Sequence, residues 1–170
     1  MNLSGSTGDV YCKASVSENI NIKLSTGHIN LEDINVGEVK LYVSTGDINV
    51  KSLKCDGKLE ADVSTGKTRL TDVICDNVIS KGDTGDIELY NVIAKDSFAI
   101  RRDTGDVKFE KSDAAEIKVR TSTGDVKGTL LSSKVFITET STGDIRVPKT
   151  TSGGKCEIST DTGDINIAVN

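Results

Sequence analysis

Large aromatic side chains are scarce in this sequence, which has no Trp and only three Phe and three Tyr. Compact cores usually draw much of their buried area from such side chains. Proline and histidine each occur once, at Pro148 and His28. The apolar residues are instead mainly Val, Ile and Leu, and 16 Gly are spread along the 170 residues. This composition favours many short strands and turns over helices.

Charge and hydropathy exclude two classes of partner. The 21 Lys and Arg residues are outnumbered by 26 Asp and Glu residues, for a net charge of -5, whereas a general nucleic-acid binder needs a basic footprint. No run approaches the roughly 18 consecutive apolar residues of a membrane-spanning helix. We therefore expect no nucleic-acid partner and no membrane crossing within this segment.

The dipeptide Thr-Gly organises the chain, because it recurs nine times at intervals of 19 or 20 residues. A fixed period of this length is the mark of a solenoid. We predict an all-β, single-stranded β-helix (β-solenoid) of about nine coils of 19–20 residues, each coil stacked on the one before it. Residues 1–170 form a single domain, expected to be a fragment of a longer protein. The repeated glycines, which we predict to form one corner of the coil, are Gly8, Gly27, Gly46, Gly66, Gly85, Gly105, Gly124, Gly143 and Gly163.

Apolar and polar residues alternate on both sides of each Thr-Gly, as in Val39-Lys40-Leu41-Tyr42-Val43. Alternation with period two indicates strands with one buried face, so each coil is predicted to have about three short strands and three corners. The extra residue of the 20-residue coils falls among turn-forming residues, at 56–57, 95–97 and 153–154. An insertion at a corner leaves the strand registers intact.

An aspartate follows the glycine in seven of the nine repeats, including Asp47, Asp86, Asp106, Asp125 and Asp144. Carboxylates stacked at coil spacing repel each other by about 1 kcal/mol per pair in water. We expect backbone amides to offset this repulsion by donating hydrogen bonds. A calcium ladder is the alternative, but the repeat is not the calcium-binding nonapeptide, and two coils carry His28 and Lys67 instead. We predict no metal and no cofactor.

The four cysteines, at positions 12, 55, 75 and 156, lack the Cys-x-x-Cys spacing of a zinc or redox site. Cys55 and Cys75 hold the same position in consecutive coils, and a Cα separation of about 4.8 Å would permit a disulfide. A buried cysteine is more often a small apolar filler. We favour free thiols that pack inside the rod.

Three basic residues at one position of consecutive coils, Lys81, Arg101 and Arg120, form the strongest candidate binding site. Arg102 and Lys118 are expected beside them. Such a stripe could hold an anionic polymer such as a phosphate-bearing wall glycan. The alternative is a solvated face, with the positive charge balanced by the acidic residues Asp83, Asp103 and Glu139.

The repeated motif, seen as STGDINV at residues 44–50 and STGDIRV at 141–147, resembles the adhesin β-strand-repeat domain family of unknown function in bacterial cell-envelope proteins. The resemblance covers essentially the whole chain. It implies a right-handed β-helix on the extracytoplasmic side, beneath a membrane anchor carried elsewhere in the parent protein. It supplies no catalytic residues. The expected function is thus a non-catalytic module that binds a cell-wall polymer or another envelope protein.

Two other functions stay open from the sequence. A bactofilin-like cytoplasmic scaffold that self-associates end to end is favoured by free thiols and by terminal coils without capping segments, but its repeat is typically shorter and more apolar. A polysaccharide-acting β-helix enzyme is the third hypothesis. The coils lack the long insertions that would build a catalytic cleft, so we expect no enzyme activity.

Overall fold

A computed structural model describes residues 1–13 and 18–170 of the chain. It confirms an all-β, parallel β-solenoid of about eight turns, because the nine Thr-Gly corners, by which the coils are numbered here, bound eight intervals. Every strand pairing in the described residues is parallel, and these residues form no helix. Consequently, the described residues include no helix of the length and apolar character needed to cross a membrane.

The described residues form fifteen strands, and the longest of them run through two corners. In chain order they are β1 (Asn2–Thr7), β2 (Val10–Lys13), β3 (Asn19–Thr26), β4 (Ile29–Val36), β5 (Glu38–Thr45), β6 (Ile48–Cys55), β7 (Lys58–Thr65), β8 (Thr68–Thr84), β9 (Ile87–Thr104), β10 (Val107–Thr123), β11 (Val126–Leu130), β12 (Lys134–Thr142), β13 (Ile145–Arg146), β14 (Gly154–Thr162) and β15 (Ile165–Val169).

The interior coils turn three corners, as the alternation predicts. The first is the Thr-Gly corner, where every glycine has a positive φ. The second places a non-glycine residue in the left-handed region, with φ between 49° and 55° at Asp33, Ser52, Asp72, Asn91 and Lys111. At the third, the pairing register shifts where one coil has an extra residue between Ala94 and Ser97. The predicted insertion site therefore lies at a corner.

The core is a set of columns in which the same inward position of successive coils stacks along the axis. One column joins Ile29, Ile48, Thr68, Ile87 and Val107, and all five are buried. Because each side chain touches equivalents one coil above and below, burial depends on stacking rather than on any single coil.

The last two coils do not follow chain order, which corrects the prediction of simple sequential stacking. Strand β14 pairs directly with β10, and β12 pairs only with β14. Strand β15 likewise lies between β11 and β13. The ninth coil is therefore inserted between the seventh and the eighth, and the eighth coil forms the end of the rod.

One matched inward position favours this order of the two coils. The register pairs Phe136, Thr138 and Thr140 of the eighth coil, all partly exposed, with Cys156, Ile158 and Thr160 of the ninth, all buried. At the middle position, placing Thr138 rather than Ile158 at the end exposes the more polar side chain to water. Pro148 follows β13 in the outermost coil, where the missing N–H removes no bond to a further strand.

The Thr-Gly corner requires glycine because neighbouring backbones meet there. A Cβ on Gly85, which has a φ of 125°, would lie 2.0 Å from the carbonyl oxygen of Gly66 in the adjacent coil. The first repeat differs, because a Cβ on Gly8 would have no atom within 4 Å, although its φ is 129°.

We predict that Gly85→Ala destabilises the domain by at least about 3 kcal/mol, combining backbone strain with overlap of two backbones. Gly8→Ala is the matched control, since it imposes nearly the same strain without the overlap, and its loss should be clearly smaller. Denaturant unfolding monitored by circular dichroism measures both. Equal losses in the two variants would refute the close-approach explanation.

Candidate functional site

The aspartates after the corner glycines form a ladder in which carboxylates inside the rod accept hydrogen bonds from amides of the next coil. The Asp125 amide donates to Asp106 Oδ1 at 2.8 Å, the Asp164 amide to Asp125 at 2.7 Å, and the Asp144 amide to Asp164 at 2.9 Å. The hydrogen bond from Lys127 and that from the Asp164 amide lower the pKa of Asp125. Backbone donors thus offset the repulsion, as predicted.

The two repeats without aspartate keep parts of the same pattern. His28 accepts the Asp47 amide through Nδ1 at 3.2 Å, in the place of a carboxylate oxygen. Lys67 donates its amide to Asp47 at 2.8 Å, and its ammonium lies 3.0 Å from Asp86 Oδ2. Within residues 1–13 and 18–170, no group of three or more His, Cys, Asp or Glu is arranged to hold a metal ion.

The structure places the three candidate basic residues side by side on one exposed face, here called the basic stripe. Lys81 pairs in register with Arg101, and Arg101 with Arg120. All three side chains are exposed. Among the described residues, no carboxylate oxygen lies within 4.0 Å of their charged nitrogens. Three like charges therefore project from adjacent strands, whose backbones lie about 4.8 Å apart.

The order of the last coils decides what borders the stripe. Sequential stacking would set Glu139 against Arg120, but Ser159 occupies that place and Glu139 lies one strand further out. At the other end, Asp62 is the neighbour of Lys81. Burial raises the pKa of the Asp62 carboxyl, although Lys81 acts in the opposite direction. The expected charge balance by Glu139 is thus displaced from the stripe.

Arg102 does not belong to the stripe, which corrects the expectation that it lies beside it. Its side chain points into the rod, is 1% exposed and donates to the carbonyl of Val63 at 3.0 Å and to Thr68 Oγ1 at 2.9 Å. Gly82 makes room for it, since a Cβ there would lie 1.5 Å from Arg102 Nη1. Burial lowers the pKa of the Arg102 guanidinium to about 10. Lys118, in contrast, is exposed and faces Glu157 at 3.8 Å.

An open cavity of about 670 Å³ lies where the chain crosses between the out-of-order coils. Lys134 is buried beside it, with its ammonium 2.6 Å from Asp113 Oδ1 and donating to Ser132. Lys134 is the first residue of β12 and pairs in register with Gly154. Because its charge is paired and its donor is engaged, this arrangement holds the crossover together.

All four cysteines are free thiols, as we favoured from the sequence. Burial raises the pKa of Cys75 and of Cys156 to about 12, and it also raises the pKa of Cys55. Cys12 alone is partly exposed. Since the thiolate is the reactive form, three of the thiols are protonated fillers at neutral pH.

We predict that an aromatic disulfide reagent at pH 8 labels one thiol per chain quickly, at Cys12, and the other three only on the time scale of unfolding. Cys12→Ser should remove the fast phase and leave the slow one unchanged. Rapid reaction of two or more thiols in the folded Cys12→Ser variant would contradict the burial and the raised pKa values.

Comparisons with known proteins identify the family but no closer relative. Two segments, residues 1–73 and 70–170, match the model of the Toastrack DUF4097 family, a domain of unknown function with a β-solenoid fold. No curated protein and no solved structure matches the chain. The match supports a β-solenoid domain of unknown function, and it extends neither to the adhesin label nor to the Ser-Thr-Gly-Asp-Ile repeat of the resemblance. Because the two segments together span the whole sequence, the chain belongs to the Toastrack DUF4097 family.

Proposed function

We propose that this domain is a non-catalytic scaffold of the bacterial cell envelope that binds an anionic, phosphate-bearing wall polymer along its basic stripe. The location follows the resemblance to envelope repeat domains. The polymer follows from the spacing of the charges. A flexible chain with regularly spaced anionic groups can lie across Lys81, Arg101 and Arg120 and relieve their mutual repulsion of about 1 kcal/mol per neighbouring pair.

One observation carries the proposal: these three cations are adjacent, exposed and without an ion-pair partner in the described chain. Some exposed cations elsewhere have a partner, as Lys67 has Asp86 at 3.0 Å and Lys155 has Glu157 at 2.9 Å, and others have none; the stripe is distinguished by three unpaired cations on adjacent strands. Asp83 and Asp103 lie two residues beyond Lys81 and Arg101 on the same strands. They confine the positive potential to a narrow strip, which suits a linear polymer better than a broad anionic surface.

We propose no enzymatic role because the titratable side chains that could transfer a proton are held in structural hydrogen bonds. The single histidine, His28, uses Nδ1 to accept the Asp47 amide. The aspartates of the ladder use their oxygens to accept backbone amides. The buried Lys134 is held by Asp113. Groups committed to such structural hydrogen bonds are poorly available for proton transfer.

Co-sedimentation with purified Gram-positive cell walls tests the proposal, using walls with and without their phosphate polymer, which hydrofluoric acid removes. We predict salt-sensitive binding to intact walls and loss of binding to stripped walls. The triple variant Lys81→Ser, Arg101→Ser, Arg120→Ser should bind about 10- to 100-fold more weakly, from about 0.5–1 kcal/mol for each exposed contact.

The matched control removes three other exposed cations in the variant Lys51→Ser, Lys54→Ser, Lys95→Ser. It changes the net charge equally but leaves the stripe intact, so it should bind like the parent chain. Equally weakened wall binding in both triple variants would mean that net charge alone, rather than the stripe, accounts for the binding. Undiminished binding to stripped walls would exclude the phosphate polymer as the ligand.

A further inference from the structure

Both ends of the solenoid expose inward-facing apolar side chains that interior coils bury. At the first coil Met1 is 46% and Leu3 is 43% exposed, and at the last coil Ile145 is 43% exposed. In the interior the same column positions are filled by residues such as Ile22 and Ile165, both 0% exposed. The difference arises only because each terminal coil has a neighbour on one side.

The backbone at the two ends is complementary in its hydrogen-bonding groups. Inside the rod, each corner glycine donates its N–H to the threonine carbonyl of the next coil, as Gly163 does to Thr142 at 2.9 Å. The first residue of the following strand repeats this direction, with the Ile165 N–H donating to the Asp144 carbonyl at 2.9 Å. At these two corner positions the N–H groups therefore point toward the eighth-coil end, and the carbonyls that accept them point toward the first-coil end.

At the eighth-coil end, the N–H groups of Gly143 and Ile145 have no acceptor among the described residues. At the first-coil end, the carbonyls of Thr7 and Asp9 have no donor within that same part of the chain. The corner positions are equivalent, so the two donors at one end match the two acceptors at the other.

The carboxylate ladder is left open in the same complementary way. Asp144 is 74% exposed, and Oδ1 of its carboxylate accepts no hydrogen bond within the described chain. The Asp9 amide at the other end has no acceptor in the described residues, although its carboxylate accepts the His28 amide at 2.9 Å. An Asp9 amide placed one coil beyond Asp144 would extend the ladder without a break.

The side-chain columns would also continue if the first coil of a second copy were placed beyond the eighth coil. Continuing the registers sets Ile145 against Val10 and Thr138 against Leu3. The corner also has space for a neighbouring backbone. In the other repeats a Cβ on the corner glycine would meet the carbonyl of an adjacent coil, whereas at Gly8 no atom lies within 4 Å of that position.

We propose that two copies of this chain associate head to tail, with the first coil of one copy continuing the parallel sheet beyond the eighth coil of the other. The joint adds the hydrogen bonds Gly143 N–H to Thr7, Ile145 N–H to Asp9, and Asp9 N–H to the Asp144 carboxylate. It is a heterologous contact, because different surfaces meet, so it repeats into an open chain of molecules rather than a closed dimer.

Two single variants block one end each. Leu3→Lys charges the first-coil end, and Ile145→Lys charges the eighth-coil end. Both side chains are already about half exposed, so the monomer should stay folded, which circular dichroism checks. Ile74→Lys is the matched control, because Ile74 is 56% exposed on the side of the rod, away from both ends.

Sedimentation velocity over a concentration series provides the readout. The parent chain and Ile74→Lys should form a growing series of species. Each end variant alone should lose every species larger than the monomer. An equimolar mixture of the two end variants should stop at a one-to-one dimer, because one intact first-coil end meets one intact eighth-coil end.

Three results would overturn the proposal: a parent chain that stays monomeric at all concentrations, an end variant that still associates alone, or a mixture without the dimer. Loss of association in Ile74→Lys would assign the contact to the side of the rod. The outcome is independent of the wall-binding experiment, since the basic stripe and the ends share no residue.

Discussion

The contact between neighbouring backbones at the Thr-Gly corner is the constraint on which the rest of this structure depends. There the carbonyl of one coil occupies the space that a side chain would need, and only glycine accommodates it. The amide of the following residue then reaches a carboxylate in the adjacent coil, and the strands beyond it fall into register. The contact forms between neighbouring coils and is the same in every repeat. It therefore sets the stacking geometry of the rod but does not specify which coil lies next. The same contact can form between any two repeats.

That freedom is used at one end of the molecule. The ninth coil, with Ile158 inward, takes the interior position, and the eighth, with Thr138 at the matched position, takes the end. The exchange also shapes the surface, because it sets Ser159 rather than Glu139 beside Arg120. The exposed basic stripe is therefore partly a product of coil order. The burial of apolar side chains therefore influences the coil order, and the coil order changes the charge distribution on a face that other repeats form.

The sequence predicted the solenoid, the glycine corner, the aspartate ladder and the adjacency of Lys81, Arg101 and Arg120, since all of these follow from a fixed period. Coil order could not follow from the period, which is the same whichever repeat lies next. Thr138, where the ninth coil has Ile158, and the lone Pro148 were the available signal. Arg102 was wrongly predicted to lie beside the stripe, although the alternation turns it inward. Gly82 in the preceding coil was a second signal, because its lack of a side chain leaves the space that Arg102 fills. The second corner had no signal, because its left-handed positions share no residue type: Asp33, Ser52, Asp72, Asn91 and Lys111.

Amide hydrogen exchange in an Asp125→Ala variant, followed residue by residue by nuclear magnetic resonance, tests the stacked corner and its order together. The Asp125 carboxylate accepts the Asp164 amide at 2.7 Å, while the Asp144 amide is held by Asp164 at 2.9 Å. The account predicts that the substitution speeds exchange at Asp164 and leaves Asp144 protected. Faster exchange at Asp144 with Asp164 unchanged would mean that the coils stack in chain order, and no change at either amide would mean that the ladder does not hold the corner.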